Sequence, residues 1–172
     1  MIFPALFWIP TDFYDKVEFG GNWWDKVTGI VFQGTSALAL DGKGRMTVPA
    51  RHRDALAALS NNQITLTQHP VGCLLVFPRP AWEAFRSQLL SLPMEADGWR
   101  RFFVGSAVDV EVDSAARVLV PPELRAMAEL DKDVLLLGMG QRLELWDAAK
   151  YAAHQAQVKA GPMPDAIKSF VF

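Results

Sequence analysis

Apolar and polar residues alternate weakly over 35–40 (TSALAL), the two-residue period of a half-buried strand. DGKG at 41–44 reads as a turn with two glycines free to take positive φ. Arg45–Val48 resumes a strand, and Pro49 stops it. ARHRDALAAL at 50–59 predicts a short helix that Asn61 and Asn62 break. ITLTQ at about 63–67 and CLLVF at 73–77 predict strands, separated by the turn HPVG. Pro80 opens a helix that carries Trp82, Phe85 and Leu89 on one face. Pro93 to Gly98 form a break, and WRRFFVGSAV at 99–108 fits a helix or a strand equally well.

The pattern then repeats. VDVEV at 108–112 precedes a second turn, Asp113-Ser-Ala-Ala-Arg117, then the strand VLV, the stop Pro121 and a short helix PELRAMAEL. DVLLLG predicts the next strand, GMGQ the next turn, RLELW at 142–146 a strand and DAAKYAAHQAQV at about 147–158 a helix. One offset of 72 residues carries Asp41 to Asp113, Arg45 to Arg117, Pro49 to Pro121 and Arg53 to Arg125. Phe77 and Trp146 stand 69 apart, so a loop has shortened by a few residues. Each half holds about four short strands, too little to bury a good core alone. Two copies in one chain can pack about a pseudo-twofold axis, as a covalent symmetric dimer would.

Composition narrows the class. Of 172 residues, 51% are hydrophobic and 21% charged, an ordinary globular balance. No apolar run reaches the roughly 18 residues that span a bilayer, so no membrane partner is expected. The single cysteine, Cys73, lies in an apolar stretch and reads as a reduced thiol in the core, which fits a cytoplasmic protein. A net charge of −2 argues against a polybasic coat and leaves room for a local basic patch. Between residues 41 and 54, Lys43, Arg45, Arg51 and Arg53 face only two aspartates. Asp41 can accept backbone N–H groups across its turn, Gly42 and Gly44 let a partner approach, and Lys43 and Arg45 project towards guanine or phosphate. The alternative is a salt-bridged structural turn without a ligand.

Catalysis and metal binding find no support. There is no G-x-x-x-x-G-K-[ST] and no G-x-G-x-x-G after a strand. His52, His69 and His154 are scattered, which predicts neither a metal site nor a cofactor. Cys73 with His69 is better read as core than as nucleophile and base. No set of nucleophile, base and orienting group assembles at usable spacing, so no enzyme activity is expected. Trp82, Phe85, Trp99, Phe102 and Phe103 read as core or subunit interface rather than as a base-stacking platform.

ALDGKGRMTVPARHRDAL and EVDSAARVLVPPELRAMA resemble the MraZ family of bacterial transcriptional regulators, which carries two SpoVT/AbrB-like modules, each with an Asp-x-x-x-Arg turn. VFQG at 31–34, GCLLVFP at 72–78, RRFFVGSA at 100–107 and GMGQRLELWD at 138–147 add to the resemblance, which covers about residues 31–155. It implies a β-rich α+β fold of two swapped-hairpin modules packed as a pseudo-twofold β-barrel with short flanking helices. The modules are expected at 31–98 and 99–158, with a tail over 159–172. It also implies a nucleoid-associated ring of like subunits that binds double-stranded DNA at TGGG-type repeats upstream of the division and cell-wall gene cluster. Lys43 and Arg45 become the principal DNA contacts. Arg117 is a weaker one, since Ser114-Ala115-Ala116 lacks the lysine and the glycines, and Asp113 is mainly structural. Arg51, Arg53 and Arg125, on the short helices, are further candidates, with pairing to Asp54 or Glu123 as the alternative. A protein-interaction module of antitoxin type is the competing function. Antitoxins of this fold usually have one barrel and a long tail, whereas this chain has two modules and a short one.

Residues 1–30 are aromatic-rich and aperiodic, and they are a poor match to a secretory signal, with no Lys or Arg before Lys16. The resemblance begins at Val31, which a GTG start codon would encode. Trp24-Asp25 must be encoded TGGGA, and Gly20-Gly21-Asn22 encoded GGT-GGG-AA would place a second TGGGA about ten nucleotides away, one turn of B-DNA. On this reading the stretch is operator sequence read as protein. A genuine irregular arm is the alternative.

Overall fold

The computed structural model describes residues 32–170; the readings made for residues 1–30 lie outside them. The first half contains β1 (Phe32–Ala39), β2 (Arg45–Thr47), α1 (Ala50–Ser60), β3 (Gln63–Gln68), β4 (Leu74–Pro78) and α2 (Arg79–Ser91). A single 3₁₀ turn (Met94–Ala96) leads into α3 (Asp97–Phe103). Then come β5 (Val108–Glu111), β6 (Arg117–Leu119), α4 (Pro122–Met127), β7 (Asp133–Gly140), β8 (Leu143–Asp147), α5 (Ala148–Ala160) and α6 (Asp165–Lys168). The ambiguous segment at 99–108 thus divides between a helix and a strand. The tail holds one short helix.

Local chemistry sets the element ends. α1 starts behind Pro49 and stops where Asn61 turns left-handed, its N–H bonded to Ala57 O. α5 is capped by Asp147, which accepts from the N–H groups of Ala149 and Lys150 at 3.0 and 3.1 Å. GMGQ is not the turn expected of it. β7 runs on through Gly140, and the chain reverses at residues 141–142. Gly138 lies opposite Gly34 in β1, and a Cβ there would collide with the backbone of Phe32 and Gln33. The glycine is therefore needed for close strand approach.

The halves exchange strands. All pairing is antiparallel, in a six-stranded sheet of order β1-β7-β8-β4-β3-β5 and a two-stranded ribbon of β2 and β6. β1 of the first half pairs with β7 of the second, and β5 of the second pairs with β3 of the first. The pairing itself carries the pseudo-twofold. Met46 lies opposite Val118 at the centre of the ribbon, and Leu75 lies opposite Glu144 at the centre of the sheet. The sheet does not close into the expected barrel. Among the described residues its end strands, β1 and β5, share no ladder. The cause is local: each Asp-x-x-x-Arg turn closes on itself and sends the next strand out of the sheet, to pair with its counterpart in the ribbon.

Both faces of the sheet are covered. Phe32, Ile64, Leu66, Leu74, Val76, Leu136, Leu143 and Leu145 pack with Met46 and Val118 of the ribbon, Leu56 of α1 and Leu124 of α4. On the other face Leu75 and Phe77 meet Ala81, Trp82 and Leu89 of α2 and Phe103 of α3, while Cys73, Leu137 and Trp146 meet Tyr151 of α5. β4 and β8 lie between these layers and are buried throughout; β4 accordingly reads as an unbroken apolar run, whereas β8 carries the buried Glu144 and Asp147. Trp82, Phe85 and Leu89 do share one packed face, and Phe103 is core.

Candidate nucleic-acid interface

The two turns are built alike. Asp41 N–H donates to Arg45 O at 2.9 Å, and Gly44 N–H to Asp41 O at 2.8 Å. The Asp41 carboxylate accepts from the N–H groups of Lys43 and Arg45, both at 2.9 Å. Its second oxygen takes Arg45 Nε at 2.8 Å and Nη2 at 2.7 Å. Asp113 repeats each contact with Ala115 and Arg117, Arg117 Nε standing at 3.0 Å and Nη2 at 2.9 Å. The Arg45 side chain and the two N–H groups hold the Asp41 carboxyl down to about 2. Asp113 is lowered as well, first by the Arg117 N–H and then by its side chain.

The arginines expected to contact DNA are thus also the ones that close the two turns. Asp41 and Asp113 organise the loops, and Arg45 and Arg117 each turn one edge of the guanidinium back to an aspartate. Of the two glycines free to take positive φ, Gly44 does so, at +80°, and Gly42 does not. Ala116 occupies the same place in the second turn at +57°.

Successive residues of a strand face opposite ways, so the ribbon buries Met46 and Val118 and turns Arg45, Thr47, Arg117 and Leu119 outward. In the register Arg45 lies opposite Leu119 and Arg117 opposite Thr47, so the two arginines are two residue steps apart along the ribbon, about 7 Å. Thr47 and Leu119 were not legible as site residues. Their exposure follows from the pairing of β2 with β6, which no local pattern encodes.

Of the helix arginines, Arg53 and Arg125 reach the residues that follow the ribbon strands, and Arg51 reaches β1. Arg51 donates from Nη2 to Ser36 Oγ and lies over Gly34. Arg53 Nε donates to Val48 O at 2.8 Å, and Arg125 Nε to Val120 O at 3.1 Å. Among the described residues neither pairs with Asp54 or Glu123, and Lys43 has no ion-pair partner. Lys43, Arg51, Arg53 and Arg125 therefore carry the uncompensated positive charge here.

The remaining candidates are structural. Cys73 is buried, and burial followed by the nearby Glu144 pushes its thiol far up, the reverse of an activated nucleophile. His69 meets Cys73 through the backbone, its N–H donating to Cys73 O at 2.9 Å. Among the described residues no cluster of three or more His, Cys, Asp or Glu side chains could hold a metal ion, and no helix is long and apolar enough to cross a membrane.

Fold and site define a class: a duplicated, strand-exchanged α+β module whose two aspartate-closed basic turns meet on one ribbon. The family profile described as "MraZ protein, putative antitoxin-like" matches the chain twice, over residues 31–104 and 102–166. The chain is 61% identical over 143 residues to a protein of Methylibium petroleiphilum named Transcriptional regulator MraZ, covering 83% of this chain and 98% of that one. Proteins of the same name from Leptothrix cholodnii and Cupriavidus taiwanensis are 62% and 58% identical over 141 and 142 residues. Those matches cover 82% and 83% of this chain and 97% and 100% of the relatives. The chain belongs to the MraZ family.

Proposed function

We propose that this chain is a sequence-specific, non-enzymatic regulator of transcription that binds double-stranded DNA as a ring of like subunits. The relatives' shared name supports regulation of transcription. The observation that carries the DNA reading is the outward face of the β2–β6 ribbon, which presents Arg45 and Arg117, with Lys43 in the adjoining turn and Arg53 and Arg125 bonded to Val48 and Val120 at the strand ends. A two-stranded ribbon fits the major groove, and a guanidinium can read guanine there. The resemblance supports TGGG-type repeats ahead of the division and cell-wall genes as the target, and a nucleoid location. With a net acidic chain, one subunit offers few phosphate contacts. A ring gains because each later contact is intramolecular.

Fluorescence anisotropy of the full chain on duplexes with intact and scrambled TGGG repeats tests this across a salt series. The intact duplex should bind more tightly. Arg45→Lys keeps the charge and loses the planar fork, so it should weaken the intact duplex about 5- to 100-fold and narrow the gap to the scrambled one. Equal binding of both duplexes by wild type defeats the sequence-specific reading. No salt-dependent binding at all would favour the antitoxin-type alternative, in which the same module holds a protein.

A further inference from the structure

The cations left free on the ribbon face are not the motif arginines. Arg45 and Arg117 each face an aspartate that accepts two of their nitrogens. Arg125 has no carboxylate partner among the described residues, and its place in the fold is unusual. It belongs to α4 of the second half, yet its guanidinium lies across Gly44 in the turn of the first. A Cβ added at Gly44 would fall 2.5 Å from Arg125 Cζ, 2.6 Å from Nε and 2.9 Å from Nη1. Two hydrogen bonds hold this seat: Arg125 Nε to Val120 O at 3.1 Å, and Val120 N–H to Gly44 O at 3.0 Å. Gly44 is buried, Arg125 is half-buried, and Lys43, the residue before Gly44, is exposed.

The pseudo-twofold gives the second turn a poorer copy. Val48 N–H donates to Ala116 O at 2.8 Å, and Val48 O receives Arg53 Nε. Ala116 has the Cβ that Gly44 lacks, Ala115 stands where the first turn has Lys43, and Arg53, held by the same two kinds of bond, is exposed where Arg125 is half-buried.

We propose that Arg125 and Lys43 form one composite site for a DNA backbone phosphate, built from both halves of the chain and admitted by Gly44, and that the Arg53 side is its weak counterpart. The inference rests on the DNA reading and deepens it by naming a contact outside the Asp-x-x-x-Arg motif. A guanidinium anchored through Nε keeps its other nitrogens for an anion, and the neighbouring ammonium adds a second charge to the same spot.

The test uses the full chain and the same two duplexes. Arg125→Gln should weaken both about equally, because a phosphate contact carries no sequence information. It should flatten the slope of log affinity against log salt by about one for each subunit that grips the duplex, and Arg125→Lys should restore that slope. Arg53→Gln should change the slope less. Gly44→Ala should mimic Arg125→Gln by displacing the guanidinium, and should add nothing further in the Arg125→Gln background. Melting temperatures of every variant separate weaker phosphate binding from a failure to fold. If Arg125→Gln does not fold, Arg125→Lys and Gly44→Ala decide alone: a Gly44→Ala protein that folds with the wild-type slope overturns the site. So do an unchanged slope in Arg125→Gln, a weakening confined to the intact repeats, and an equal weakening in Arg53→Gln. Stabilisation of wild type by inorganic phosphate without salt-dependent duplex binding would assign the site to a free anion and overturn the DNA assignment. If wild type binds neither duplex, it is the underlying DNA reading that falls.

Discussion

Ala116 holds a left-handed backbone at φ +57° that its counterpart Gly44 takes as a glycine. A side chain there costs about 1–2 kcal/mol against the right-handed regions, and glycine loses part of that advantage through the greater freedom of its unfolded state. Ala116→Gly should therefore stabilise the protein by about 0.5–1 kcal/mol and raise its melting temperature by about 2 °C, read by circular dichroism. An unchanged or lower melting temperature would mean that the second turn is not strained. The alanine is tolerated because the Asp113 clasp fixes the turn without it: two N–H groups and the Arg117 side chain all bond one carboxylate. The repeated aspartate and arginine were legible in the sequence for that reason, since the clasp is local and spans five residues. The seating of Arg125 on Gly44 was not legible. The 72-residue offset shows that Arg53 and Arg125 correspond, but only the strand exchange decides which turn each one faces.

At the scale of elements, α1 is fastened to β1 through a histidine. His52 is 3% exposed, its ring meets Phe32 edge-on with centroids 5.5 Å apart, and its Nε2 has no hydrogen-bond partner among the described residues. Burial, then the charge of Arg51, lowers its pKa. His69 is lowered too, first by burial and against the pull of Glu144. A lowered folded value means that the unfolded chain binds the proton first. Stability is full above the unfolded value of about 6.5 and falls as pH drops below it, by up to about 1.4 kcal/mol per pH unit for each histidine. His52→Leu removes one such proton and an unsatisfied buried nitrogen, so urea melts between pH 7 and 5 should show a shallower loss than wild type. A slope as steep as wild type would show that His52 is not the group that charges. Strands and helices of this layer were legible where their period was local: TSALAL, ITLTQ and the Trp82–Phe85–Leu89 face all fell into place. GMGQ misled because the glycine at 138 serves a close approach to β1, a partner about a hundred residues away in sequence.

For the whole molecule, the strand exchange makes each half depend on the other. Alone, residues 31–107 would leave β1 without β7 and β3 without β5, so they can complete their sheet only by pairing with a second copy. The internal axis would then become a true twofold. At its centre Leu75 would meet the Leu75 of the second copy, an apolar pair with Phe77, Trp82 and Leu89 packed nearby. The same construction from residues 107–160 sets Glu144 opposite Glu144. That carboxylate is 6% exposed in the intact chain, where Trp146 Nε1 donates to it at 3.0 Å and Arg142 stands at 3.5 Å. Two buried carboxylates face to face repel, and desolvation adds to the cost. The halves should therefore behave unequally. The first should sediment as a folded dimer, and the second should remain unfolded or associate far more weakly until Glu144→Leu removes the opposed charges. Analytical ultracentrifugation with circular dichroism reads both. A folded monomeric first half, or a second half that dimerises equally well without the substitution, would show that the contacts at the axis do not set the pairing.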